Sequence, residues 1–583
     1  MKRFFTFGLL PVVLFFAGCP DIEDHQNFLA DNVTPLVRPL APVIDYHLLD
    51  GVEFEELEFL NYKMFGAGGE GLTDDLDTII RTHDVANAWN KKVKVSDGTY
   101  YIGGEDRNVI IQTSTDWTGA TIIIDDRDAQ NLFKHVFRVI SKLPTRQISS
   151  IRKLSIGDTK LDVQLEYPSF VTINDDTLMT YRRYGTNSHG GVPQNDIVVV
   201  DRQGNIRDDT PIIFDFNYIS SMTAYPIDEE TLYITGGEFG THGYLGELYL
   251  FAGRGIHITR SNVVVSNVHH RLLSSQGSTS APPCPYRGFI VVELCTDVLV
   301  QDTILHGRPN GNTNVGTYDV SVLYASNVYF KNCSQFDSHT QGSNVSWGIF
   351  SSNNTKNLTF DNVRWSRFDA HRGVFNVNVI NSDIGAHGNR ALGEGVLRVM
   401  NTTIRSGSII QMRDDYGSSW KGDIIIQDVT HTGTGNLIAL GTPQPQFFWG
   451  QPLYWAENIW IDGITFTSSV NTARNLTNTN GGFGTAGPGA FQTRTRFIYT
   501  NRSRGSSTTI NMQNVNNTSS PTNGATVIPH TDTTNYRKPP IYEPPAVKYL
   551  PSGPNGYNGD YQDWTSFPDP DPLLYPDWGK ERP

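Results

Sequence analysis

Asn357-Leu358-Thr359-Phe360-Asp361-Asn362 is the stretch on which the fold turns. Apolar residues alternate with polar ones between two Asn. The pattern recurs as Asn327-Val328-Tyr329-Phe330-Lys331-Asn332, Asn376-Val377-Asn378-Val379-Ile380-Asn381 and Asp423-Ile424-Ile425-Ile426-Gln427-Asp428, with a looser copy over 396–401. Alternation with period two reads as a strand that buries one face. Asn and Asp at its ends read as turns. From Ile256 onward the closing residue falls at Asn267, Asp302, Asn332, Asn362, Asn381, Asn401 and Asp428, then at Gly463, with a last copy ending at Asn514. The intervals up to Asp428 are 35, 30, 30, 19, 20 and 27 residues. A regular solenoid would keep one period. A constant strand with variable loops is instead what a parallel β-helix needs. The coil itself supplies the crossover between parallel strands, and Asn side chains stack from turn to turn. A two-sheet sandwich is the competing all-β architecture, and it gives no reason for seven copies with the same Asn placement.

At 583 residues the chain can bury a large core. Its 54 Gly and 31 Pro favour short strands and turns. A net charge of −14 argues against a nucleic-acid binder but allows a local basic groove for a polyanion. Lys2 and Arg3 precede an apolar run too short to span a bilayer, which reads as an export signal over residues 1–18. Phe16-Ala17-Gly18-Cys19 resembles a bacterial lipoprotein lipobox. That resemblance implies cleavage before Cys19, a lipid anchor on it, and an outer-membrane or cell-surface protein; an ordinary signal peptide is the alternative. Among Cys284, Cys295 and Cys333, the local disulfide candidate is Cys284–Cys295, and Cys333 reads as a core residue. Metal-ligand spacings are absent, so neither metal nor other cofactor is expected.

The expected organisation is a tether over 19–61, a β-helix over 62–530 and a Pro-rich strap or tail over 531–583. Thr73 is the expected N-cap of a helix carrying Leu76, Ile79, Ile80 and His83 on one face, and this helix should cap the first coil. Residues 131–250 lack the repeat and read as early coils with a β-rich insertion, or as a packed β subdomain. Strands are expected at 197–200, 212–216 and 232–234.

The two shortest coils, those closing at Asn381 and Asn401, should form the floor of a groove. Residues 307–316 and 443–455 are expected as its walls. One strand per coil should start near Tyr318, Trp347, His371, Arg390 and Ile409, so His371 and Arg390 come from neighbouring coils. The next coil brings Gln411, Arg413, Asp414, Asp415, Tyr416 and Trp420. His371 is the candidate general base; a histidine hydrogen-bonded in a turn is the plain alternative. Tyr416 is the candidate acid, or a packing residue. Arg413 and Arg390 suit a carboxylate fork, or pairing with Asp369, Asp414 or Asp415. Arg367, Arg372, Asp415, Gln411, Tyr318, Trp347 and Trp420 complete the expected substrate contacts. Trp365 is considered with them; any one Trp equally suits core packing.

Such a set fits β-elimination of a uronate polysaccharide, which needs a base, a group to stabilise the enolate and a proton for the leaving oxygen. Glycoside hydrolysis by Asp414 and Asp415 is a second possibility. A surface carbohydrate-binding or adhesive β-helix is a third. From about Tyr62 to Asn514 the chain resembles the pectate-lyase-like superfamily of right-handed single-stranded β-helices. Gly316-Thr317-Tyr318-Asp319-Val320, Trp347-Gly348-Ile349, Ser366-Arg367-Phe368-Asp369-Ala370-His371 and Arg413-Asp414-Asp415-Tyr416-Gly417-Ser418-Ser419-Trp420 are similar to segments of bacterial lyases of acidic glycans, chondroitin-type glycosaminoglycans included. The calcium-binding Asp array of pectate lyases is not found.

Overall fold

A computed structural model describes residues 38 and 40–43, most of 54–467, and the strand residues 474–475, 496–500, 510–511 and 526–529. Within 54–467 the segments 184–188, 245–250, 275–285, 306–316, 336–347, 353, 417–418, 434, 440–455 and 457 lie outside the description. So do the signal and Cys19, both expected groove walls, Trp347, Cys284 and the Pro-rich tail.

The chain winds as a parallel β-helix in which each coil lays down three strands. Thr296–Gln301, Ser326–Lys331, Lys356–Asp361, Val374–Ile380, Gly393–Met400, Trp420–His431 and Asn458–Phe466 pair in parallel, each with the next. Register places Val298, Val328, Leu358, Val377, Leu397, Ile424 and Ile459 in one row, all buried inside the coil. The apolar positions of the repeat are therefore the core. Phe330 and Phe360 stack in the same interior with ring centroids 5.4 Å apart.

The corners explain the Asn. Asn267, Asp302, Asn332, Asn362, Asn381, Asn401 and Asp428 all have φ between 45° and 55°, and Gly463 has 71°. This left-handed region is open to Gly and tolerated by Asn and Asp, whose short side chains can bond locally. Those side chains also link coils. Asn332 donates to Asp302 at 2.9 Å, Asn362 to Asn332 at 2.9 Å, and Asn401 to Asn381 at 2.8 Å. A second column starts the same strands: Asn357 donates to Asn327 at 2.8 Å and Asn376 to Asn357 at 2.9 Å.

The helix Leu76–Trp89 caps the first coils, burying Leu76, Ile79 and His83, with Ile80 packed at the core margin. Its N-cap is Asp75 and not Thr73, which ends up in the strand Glu70–Asp74. Asp74 Oδ1 accepts from Leu76 N at 3.0 Å, and Asp75 Oδ1 accepts from Gly68 N at 3.0 Å. Gly68, in the glycine-rich run over 66–71, is thus tied to the carboxylate of the helix N-cap, a structural role.

Between the coil strands Phe137–Val139 and Leu232–Thr235 lies an insertion. It is an antiparallel sheet of Arg146–Gln147, Ser169–Thr180, Val192–Val200 and Ser221–Pro226, with a separate core around Leu161, Val171, Ile173, Val198 and Phe216. Residues 212–216 are not a strand as expected; Phe216 makes one bridge to Leu154. The insertion docks on the coil corner through a buried ion pair, Lys356 Nζ to Asp196 at 2.7 Å, and through Asn357 Nδ2 donating to Asp209 O at 2.6 Å. Cys295 and Cys333 both lie in the coil core with free thiols, so Cys295 does not turn outward to meet a neighbour.

Candidate functional site

The site is built on a different strand of the coil from the Asn repeat. Its rows run Val320–Leu323, Ile349–Ser352, the end of Arg364–Ala370, the end of Asp383–Ala391, and Ile410–Met412. Alternation buries Phe368 and Ala370 inward, so Arg367 and Asp369 project from the outer face. Register puts Ser321, Phe350, Asp369, Arg390 and Gln411 in one row. Here the expected alignment shifts. Arg390 stands beside Asp369, and His371 follows directly after the strand instead of starting it.

Asp369 is the electrostatic centre. It is fully buried and accepts from Arg367 Nη2 at 2.5 Å, from Arg413 Nη1 at 3.0 Å to each oxygen, and from the Tyr318 hydroxyl at 3.4 Å. Burial opposes its charge, yet Arg367 and Arg413 outweigh burial and hold the carboxyl well below the usual range. Burial pushes Arg367 down to about 10, with Asp369 pulling the other way. Arg413 is used on all sides. Its Nε reaches Asp415 Oδ1 at 2.9 Å, its Nη2 reaches Asp415 Oδ2 at 2.5 Å, and the same Nη2 lies 3.3 Å from His371 Nε2. Burial works against its charge, but Asp369 and Asp415 together keep its pKa above the ordinary value.

His371 Nε2 also lies 3.2 Å from the Tyr416 hydroxyl, and the two rings meet edge-on with centroids 5.5 Å apart. A guanidinium cannot accept a hydrogen bond, so Arg413 donates and Nε2 is an acceptor. The neutral ring therefore carries its proton on Nδ1. Burial first, then the Arg413 charge, lower the His371 pKa well below the histidine norm, while Asp369 acts in the opposite sense. The ring is neutral and proton-accepting at pH 7. Burial raises the Tyr416 pKa, and Arg372, Arg183 and Arg413 pull it back without cancelling the rise. Tyr416 thus keeps its proton.

These geometries redraw several expected contacts. Arg413 has both edges occupied by Asp369 and Asp415, so it organises the site and is not a vacant carboxylate fork. Arg367 is buried on Asp369 in the same way. Arg390 differs: its Nε is buried and has no hydrogen-bond partner among the described residues. Gln411 is its half-buried neighbour on the next coil. Arg372 is buried close enough to lower the Tyr416 pKa. Trp420 does not present a face to sugar. It is fully buried in the coil core, with Nε1 donating to Gly395 O at 3.2 Å. Trp365 is a core residue packed edge-on against Phe330 and Phe360. Alternation alone did not say which way these large side chains faced. Trp347 and the Asp414 side chain lie outside the described residues.

Two residues of the site come from the insertion. Arg183 Nε forms an ion pair with Asp415 Oδ2 at 3.0 Å, and its guanidinium sits 5.9 Å from the Tyr416 ring centre. The His189 ring is 6.1 Å from that of Tyr416. They face each other as an antiparallel bridge near the end of the hairpin between Ser169–Thr180 and Val192–Val200. The signal in the sequence was Tyr181-Arg182-Arg183-Tyr184 with His189, a basic and aromatic cluster between two strands. Around Asp369 and the His371–Tyr416 pair stand five arginines, 183, 367, 372, 390 and 413, against the described carboxylates of Asp369 and Asp415. The excess is positive in a protein whose net charge is −14.

No protein-family model and no curated relative matches the chain. Among solved structures it is similar to the tailspike protein gp49 from Pseudomonas phage LKA1, at 10% identity and TM-score 0.41, covering 76% of this chain and 75% of that one. It is similar to the Gp54 tailspike of Acinetobacter baumannii bacteriophage AP22, solved in complex with A. baumannii capsular saccharide, at 10% identity and TM-score 0.42, covering 74% and 73%. The A-module of the Azotobacter vinelandii mannuronan C-5 epimerase AlgE6 gives 11% identity and TM-score 0.34 over 81% of this chain and 99% of the module. Identities this low, with TM-scores under 0.5, assign neither activity nor substrate.

Proposed function

We propose that the protein is an exported polysaccharide lyase that cleaves a uronate-containing glycan by β-elimination. The observation that carries this reading is the contact between His371 Nε2 and the Tyr416 hydroxyl, 3.2 Å, inside a surplus of arginine. His371 Nε2 takes the proton from the carbon beside the uronate carboxylate. Arg390, with its unengaged Nε, stabilises the enolate charge that develops there. The C4–O4 bond breaks, the C4=C5 double bond forms, and the Tyr416 hydroxyl protonates the leaving oxygen. The imidazolium then returns its proton to the tyrosinate across the same 3.2 Å contact, which restores the resting state.

Base and acid this close attack one face of the sugar. The C5 proton and the C4 oxygen of the substrate must then lie on the same side of the ring, which is the arrangement in D-glucuronate and D-mannuronate. D-Galacturonate and L-iduronate place them on opposite sides. Glucuronate-containing glycosaminoglycans such as chondroitin sulfate are the favoured substrates. The test is ultraviolet absorbance of the unsaturated product across hyaluronan, chondroitin sulfate, alginate and polygalacturonate. Product from a glucuronate polymer and none from polygalacturonate supports the reading. New reducing ends without the absorbance would mean hydrolysis, and binding without cleavage would mean an adhesive role. Hydrolysis has the weaker support: Asp369 and Asp415 are both paired to arginine, and the Arg367 and Arg413 charges hold the Asp369 carboxyl well below the usual range, which does not suit the protonated acid that hydrolysis needs. Export and anchoring through Cys19 belong to the same proposal, since a polymer of this size is met outside the cell.

A further inference from the structure

His189 has a defined tautomer and a donor without a hydrogen-bond partner among the described residues. The Gly191 N–H donates to His189 Nδ1 at 3.2 Å, so in the neutral ring the proton sits on Nε2. That Nε2 is buried and has no hydrogen-bond partner among the described residues. A buried N–H left unpaired is costly, so a buried donor of this kind calls for an acceptor. Two features say what the acceptor is. The ring stands next to Tyr416, and the Arg183 backbone holds it there, with His189 N donating to Arg183 O at 3.2 Å. The neighbouring charges are those of Arg183 and Arg372, partly offset by Asp415. Burial and these two guanidinium groups push His189 down to about 4. At neutral pH it is therefore an uncharged N–H donor in a positive field, a setting that favours an anionic oxygen. Arg390 Nε is the matching unengaged donor on the coil side.

We propose that His189 is a substrate-recognition residue: its Nε2–H donates to an oxyanion, a carboxylate or sulfate oxygen, of the acidic glycan on the insertion side of Tyr416. The insertion then closes the site by reading an acidic group other than the one bound by Arg390, and the substrate carries acidic groups on both sides of the reacting bond. This inference rests on the lyase reading for the identity of the polymer, but the binding step is measured apart from cleavage.

The experiment uses the full chain in a His371→Ala background, so that nothing is consumed, and compares it with the same chain also carrying His189→Ala. Calorimetry at neutral pH measures binding of hyaluronan, of chondroitin sulfate and of carboxyl-reduced hyaluronan. The expected result is a roughly tenfold loss of affinity for an acidic polymer on adding His189→Ala, the size of one charge-assisted hydrogen bond, with under about twofold change on the reduced polymer. Loss on hyaluronan identifies a carboxylate; loss on chondroitin sulfate alone identifies a sulfate. His189→Gln, which keeps an N–H donor, should recover part of the affinity, and unchanged thermal midpoints show that the fold is intact. The inference is overturned by equal loss on acidic and reduced polymers, by no loss on any, or by no binding of either acidic polymer. Absence of unsaturated product from the unmodified enzyme would sink the lyase reading alone and leave this comparison standing.

Discussion

His371 is held neutral by burial and by Arg413, and its chemistry follows from that. A histidine with a lowered pKa remains a base at pH values where an exposed one is already protonated. The acid limb of the pH–rate profile should therefore have its midpoint below pH 6.5, the ordinary histidine value. A limb centred at or above that value would exclude His371 as the titrating base. His371→Ala should lower kcat by about 10²–10⁴, with circular dichroism unchanged. The stability linkage has the same origin. For His189 the folded pKa is about 4, below the unfolded value, so the unfolded chain binds more protons between the two. Its contribution is fully present above about pH 6.5 and is lost as pH falls through about 4. Thermal midpoints that stayed flat across that window in the native chain, but not in a His189→Gln variant, would contradict this. Trp420 gives the opposite kind of test. As a core residue, Trp420→Ala should cost about 3–5 kcal/mol in denaturant unfolding, whereas loss of glycan affinity at full stability would return it to the surface.

Among the elements, the coil corner is the one most plainly written in the sequence. Asn at the end of an alternating hexad meets two demands at once, a left-handed φ and a side-chain bond to the coil before it. The demands separate by mutation. Asn332→Gly keeps the backbone free but removes the 2.9 Å link to Asp302, and should cost about 1 kcal/mol. Asn332→Val loses both and should cost more, by the roughly 1–2 kcal/mol that a side chain pays in the left-handed region. Equal costs in urea titrations would mean that φ is not what selects Asn. The docking of the insertion was not legible. Lys356 opens a repeat strand, and it is fully buried against Asp196, from the insertion. Asp196→Ala should therefore destabilise by about 3–5 kcal/mol, because it strands a buried ammonium. Adding Lys356→Met should recover most of that loss.

The whole molecule combines a net charge of −14 with a local excess of arginine. Glycan binding should weaken as salt rises from 50 to 300 mM, since the screening length shortens towards the size of the site. Salt-independent affinity would point to stacking and not to charge. Composition could not reveal this, because an overall sum hides where its members gather. Folding gathers them from four places in the chain: Arg183 from the insertion, Arg367 and Arg372 beside His371, and Arg390 and Arg413 from each of the next two coils. The candidate site was thus half legible. His371 and Arg390 stood out because the two shortest coils leave polar residues with no loop to belong to, and Arg413 and Tyr416 because they lie on the coil that follows directly. Their roles did not stand out, for Arg413 carries Asp415 and Asp369 instead of a vacant fork.

Local patterns were enough for the coil: alternation sets which residues face inward, and left-handed corners select Asn, Asp or Gly. Both constraints act within a few residues, so they leave a mark on every turn of the chain. Direction and company across the coil were decided only in three dimensions. Whether Trp420 faces core or groove, whether Asp369 is a spectator or the centre of an arginine cluster, and whether a hairpin near residue 189 reaches Tyr416 depend on stacking between coils and on how a separately folded insertion docks. Contacts of that kind join residues as far as 232 positions apart (Arg183 and Asp415), and no local pattern encodes them.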